Sequence, residues 1–74
     1  MVIQKGAIFT GKWFTGKIEV TKIEGNNLFV SLQKKHETHI SNWNEIWNLE
    51  HTESGFDRGD YFPISESELA KYKY

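Results

Sequence analysis

The chain contains no cysteine and only one proline, Pro63. No disulfide can staple it, and no thiolate is on hand as a nucleophile or metal ligand. It has one arginine, Arg58, against eight lysines, and arginine makes the commonest specific contacts to bases. No apolar run approaches the roughly 18 residues that a membrane span needs. The first ten residues carry one lysine and no hydrophobic stretch of signal-peptide length. A cytoplasmic protein with no membrane attachment is therefore expected. Scarce arginine, with five asparagines and seven isoleucines, points to an AT-rich genome, bacterial or phage.

Aromatic residues are abundant by contrast. Seventy-four residues make one small domain, 1–74, and a chain this short hides only about 60% of its unfolded surface. Side chains alone must build the core. Phe9, Trp13, Phe14, Phe29, Trp43, Trp47, Phe56, Tyr61, Phe62, Tyr72 and Tyr74 supply much of it, each able to bury roughly 150–250 Å².

Net charge is −1, but it is unevenly spread. Residues 1–35 hold six lysines and two acids, giving +4; residues 36–74 hold three bases and eight acids, giving −5. Such asymmetry marks either a partner surface or two halves that neutralise each other across the fold.

The clearest local signal is a β-hairpin. Residues 17–24 (KIEVTKIE) and 28–34 (LFVSLQK) are β-prone runs around Gly25-Asn26-Asn27. A two-residue loop mixes polar and apolar side chains on each face. A three-residue loop pairs Glu24 with Leu28 and gathers Ile18, Val20, Leu28, Val30 and Leu32 on one face. It leaves Ile23 and Phe29 on the other and calls for an αL residue near Asn27. An Ile23–Phe29 pair on the second face would need a cover, which argues for a closed or strongly curled sheet.

Gly6, Gly11 and Gly16 suit bends in a first strand, or a strand plus a turn. Residues 35–39 read as a connection. Trp43, Ile46 and Trp47 stand at i, i+3, i+4, so residues 41–49 are predicted as a short helix capped by Ser41 or Asn42. Read as a strand, Trp43, Glu45, Trp47 and Leu49 alternate less cleanly. Residues 50–60, with Gly55 and Gly59, read as a loop. Residues 61–64 read as a short edge strand because Pro63 cannot donate to a ladder. Ser65 and Glu68 form a capping-box pattern before a short C-terminal helix bearing Leu69 and Tyr72. The expected class is mainly β with one or two short helices, in a small curled antiparallel barrel similar in pattern to SH3-like or OB-like architectures.

No catalytic, metal or cofactor site assembles from the sequence. His36-x-x-His39 needs further ligands such as Glu45, Glu50 or His51, and structural zinc commonly takes cysteine. Glu53, Asp57 and Asp60 lack the EF-hand spacing, and no phosphate-binding glycine loop is present. His36, His39 and His51 have no recognisable orienting partner for acid–base work. The chain is therefore expected to have no cofactor and to be no enzyme.

Two binding readings are left. Neighbours in a strand face opposite ways, so Trp13 and Phe14 cannot both be buried on one face of a regular strand. Tryptophan and tyrosine concentrate at binding hot spots. The first expectation is a non-catalytic protein-interaction module of a bacterial or phage accessory protein, engaging another protein or itself through Trp13, Phe14 and Tyr61. The second is a single-stranded nucleic-acid binder using Lys12, Trp13, Lys17, Lys22, Lys34 and Lys35, since such proteins combine a basic groove with stacking rings.

Overall fold

The computed structural model describes residues 3–72; Lys73 and Tyr74 lie outside the described residues. Along the chain come β1 (Ile8–Gly11), β2 (Phe14–Glu24), β3 (Asn27–Lys35), β4 (Ile40–Asn48), α1 (Leu49–Arg58), β5 (Tyr61–Pro63) and α2 (Glu66–Ala70). The five strands form one antiparallel sheet in the order β4-β3-β2-β1-β5. The class is thus mainly β with two short helices.

Alternation along β2 and β3 creates the core. Ile18, Val20, Leu28, Val30 and Leu32 all point to one face and are almost completely buried, joined there by Phe9 and Ile3. Burying a side chain of this size fully is worth roughly 1.5–3 kcal/mol.

The β2–β3 hairpin reaches that one-sided face by a different register from the three-residue loop. Its loop is Gly25-Asn26, and Glu24 pairs with Asn27 and Ile23 with Leu28. Gly25 has φ 61 and no described non-glycine residue has positive φ. A positive φ at the first loop position alone is the requirement of a type II′ turn; there is no αL residue at Asn27. An irregularity between Val20 and Lys22 then leaves Thr21 unpaired and sets Val20 opposite Val30 and Ile18 opposite Leu32. One extra residue in one strand shifts the alternation by one step. The bulge also separates Ile23 from Phe29. Ile23 packs against the core, while Phe29 faces out beside Lys22, whose Nζ lies 5.3 Å from the ring centroid.

Residues 41–48, predicted as helix, are strand, and only Leu49 of that segment is helical, as the first residue of α1. Residues 40–48 form β4, paired with β3 without interruption from Asn27↔Asn48 to Lys35↔Ile40. Trp43 sits opposite Leu32 and Trp47 opposite Leu28, so both indoles lean onto the core, whereas Ile46 lies opposite Phe29 on the outer face. The helical spacing joined residues from two faces. Asn and Trp, which fill this segment, are also weaker helix formers than Leu or Lys.

The helix comes one step later, in the segment read as a loop. Asn48 caps α1, its Oδ1 accepting from the His51 N–H at 2.9 Å, and Gly59 ends it in the left-handed conformation. Gly55 is buried inside this helix because the Tyr61 ring occupies the space where a Cβ would stand. At the C-terminal end half of the capping box forms: Ser65 Oγ accepts from the Glu68 N–H at 3.2 Å and α2 follows, but the Glu68 carboxylate accepts from Lys71 at 2.9 Å.

The sheet does not close into a barrel. Its ends, β4 and β5, share no ladder, so the SH3-like or OB-like closure is not formed. The sheet nevertheless curls until its two ends touch, with the Trp47 and Tyr61 rings stacked at 5.8 Å. α1 bridges the gap, placing Phe56 4.8 Å from Phe9 and 5.7 Å from Tyr61.

Replacing Gly55 by alanine should lower stability by up to about 2 kcal/mol, an overpacking cost of about 1–3 kcal/mol against Tyr61 less a helix-propensity gain of about 1 kcal/mol. Urea unfolding checks this, and a raised midpoint would contradict the packing described.

Candidate functional site

Where the sheet stays open, its aromatic residues line up. β1 and β2 are joined by the two-residue turn Lys12-Trp13, since Gly11 pairs with Phe14. Trp13 stands on the tip and is 83% exposed, while Phe14 turns inward onto the core and meets Trp43 edge-on at 5.9 Å. Two side chains further along β4, Trp47 stacks on Tyr61, which also packs on Phe9 at 5.6 Å. Phe14, Trp43, Trp47 and Tyr61 therefore line one seam, with Trp13 beside its Phe14 end.

Glu45 sits between the two indoles. It lies opposite Val30, on the core-facing side of β4, yet it is exposed, so the seam is open to water at this point. The Trp43 indole N–H donates to Glu45 Oε2 at 2.6 Å, and the Trp47 indole N–H to Oε1 at 2.9 Å. One carboxylate thus holds both rings in fixed orientations. The two bonds, that from Trp47 foremost, keep the Glu45 carboxyl below the ordinary glutamate range.

The far end of the seam opens into a cavity of about 380 Å³ lined by Trp47, Asn48, His51, Thr52, Arg58 and Tyr61. Thr52 is buried and its hydroxyl donates to the Asn48 carbonyl at 2.9 Å. Arg58 is turned to Asp60 at 3.1 Å, and Asp60 also meets Lys12 at 3.4 Å. The Arg58 guanidinium, with Lys12 second, holds the Asp60 carboxyl below its usual range.

Of the residues named for partner binding, Trp13 is freely exposed, whereas Phe14 and Tyr61 are half-buried walls of the seam. The lysines named for nucleic acid do not converge on Trp13. Lys12 lies 5.2 Å from the Trp13 ring centroid but also pairs with Asp60; Lys17 pairs with Glu19 at 3.5 Å and Lys22 with Glu24 at 2.7 Å. Lys17, Lys22 and Lys35 share the outer sheet face by alternation, and Lys34 falls on the other. Among the ion pairs between described residues, only Lys12–Asp60 joins the basic half to the acidic half.

His36 and His39 stack at 4.4 Å before β4, and His51 lies beyond it on α1. A nine-residue strand separates them, roughly 25–30 Å at about 3.3 Å per residue. Among the described residues no three His, Asp or Glu side chains gather as a metal site would need. No helix there is long and apolar enough to cross a membrane.

Sequence reasoning missed Glu45 as the centre of the site. Its signal was the period-two run Trp43, Glu45, Trp47, set aside in favour of helical spacing. No protein-family model matches the chain, and no curated protein or solved structure matches it.

A carboxyl with a depressed folded pKa stabilises the fold above its unfolded value, about 4.3 for glutamate, and that contribution is lost as pH falls through the folded value. The near-UV circular dichroism of the tryptophans should therefore hold steady above that pH and change below it. Glu45→Gln should remove this acid step. An unchanged step in the variant would mean that another carboxyl governs the rings.

Proposed function

We propose that this domain is a non-catalytic interaction module, working in the cytoplasm of a bacterium or a phage-infected cell, that engages another protein or a second copy of itself. The observation that carries this reading is the seam: Trp43 and Trp47, with Phe14 and Tyr61, line one open side of the sheet, and Trp13 stands exposed on the turn next to Phe14. Tryptophan and tyrosine are the residues most enriched where binding energy concentrates. On this reading the fold is a partly open relative in plan of the small SH3-like or OB-like barrels, its unclosed side being the working side. Trp13, Phe14 and Tyr61 take part as tip and walls, with Trp43 and Trp47 between them.

Single-stranded nucleic-acid binding is the second reading. The exposed Trp13 ring with Lys12 beside it favours it, since stacking on an aromatic next to a cation is how such proteins hold a base. The acidic partners of Lys12, Lys17 and Lys22 weigh against it.

Selection of random peptides on the domain, followed by amide and indole chemical-shift mapping, separates the two. Selected peptides should move the resonances of residues 40–48 and of the Trp43 and Trp47 indoles, with little response to salt. The interaction reading fails if no peptide registers while single-stranded oligonucleotides perturb Trp13 and lose affinity steeply with salt.

A further inference from the structure

We infer that the partner is an extended basic segment of another protein, added as a strand along the outer edge of β4 with a lysine or arginine over Glu45. This rests on the interaction-module reading and names its occupant.

The two sheet edges are treated differently. β5 is three residues long and contains Pro63. Short length and proline are ordinary ways of blunting an edge. β4 has neither, nor a bulge or a lysine; it runs for nine residues in unbroken register with β3. From Ile40 to Trp47 its backbone is hydrogen-bonded to β3 and, among the described residues, to nothing else. Every second residue therefore has an N–H and C=O that β3 does not use, and although the Trp47 ring meets Tyr61 across the gap, Asn42, Asn44 and Ile46 stay exposed, leaving the template on which an extended peptide adds.

The charge of the edge selects what is added. Glu45 is the only charged residue of β4. A strand laid beside it places one side chain directly opposite Glu45, with the Trp43 and Trp47 rings diagonal to it and within reach of a long side chain. The two indole N–H bonds fix the carboxylate, one to each oxygen, and leave each oxygen a further lone pair for an incoming cation. Flanking rings add cation–π attraction to that ion pair. On the opposite face the same segment meets Ile46, 62% exposed, beside Phe29, where a hollow of about 500 Å³ suits an apolar side chain. A second β4 is a poor occupant, because its only charge is another Glu45.

The test uses the full chain, labelled with nitrogen-15, and capped heptapeptides of alternating threonine and valine with lysine, glutamine or glutamate at the centre. The lysine peptide should shift amides of residues 40–48 and bind about tenfold more tightly than the glutamate peptide, the difference between attraction and repulsion across a strand pair with flanking rings. Glu45→Gln should erase that preference while leaving the far-UV spectrum unchanged. Equal binding of all three peptides at residues 40–48 would overturn the basic partner and leave the interaction module standing. Shifts confined to the outer sheet face, or none with any peptide, would overturn both. Sedimentation showing a dimer with residues 40–48 already protected would make a second copy the occupant and overturn the inference.

Discussion

One unpaired residue governs the arrangement of this domain. The Gly25-Asn26 turn sets a two-residue register at the tip of the β2–β3 hairpin, and that register carried unaltered down the strands would alternate polar and apolar groups on both faces. Thr21, left without a partner, shifts β2 by one step, so that Ile18 and Val20 join Leu28, Val30 and Leu32 on a single face. Its hydroxyl donates to the Phe29 carbonyl at 3.2 Å, tying the bulge to the opposite strand. With the core on one side only, the other side of the sheet is free to be polar. No second apolar layer is required, and the sheet need not close.

That constraint also explains what the sequence disclosed. The one-sided cluster of Ile18, Val20, Leu28, Val30 and Leu32 was legible from alternation alone, as were the capping pattern at Ser65 and the edge position of Pro63. The bulge was not, because a two-residue loop plus an inserted residue and a three-residue loop place the same side chains on the same face. They differ only near the tip, where Lys22, Ile23 and Glu24 change face. For β4 and α1 the difficulty was phase. Trp43, Ile46 and Trp47 satisfy helical spacing by chance, and Asn48, which starts the helix, stood inside the segment already assigned. Gly55 read as loop punctuation because its reason for being glycine, the Tyr61 ring, lies on a different element.

The candidate site follows from the open sheet. An unclosed ladder leaves the indoles of β4 facing β5 and the start of β2 across a gap that aromatic contacts span at two points, with Glu45 open to water between them. Glu45 is tolerated on the core-facing side because the gap admits water and because two indole N–H groups answer its oxygens. Of the sequence candidates, Trp13 owes its exposure to a turn two residues long, while Phe14 and Tyr61 became walls once α1 drew β5 toward β4.

The bare edge of β4 has a cost in colloidal behaviour. Nine residues containing two tryptophans, two isoleucines and three asparagines, with no proline and no glycine, are the kind of segment that stacks on itself into fibrils. Glu45 is the gatekeeper of that segment, since like charges repel wherever copies align in register. Acid removes that charge and weakens the bonds to both indoles, so the condition that loosens the native seam also disarms the guard against self-templating.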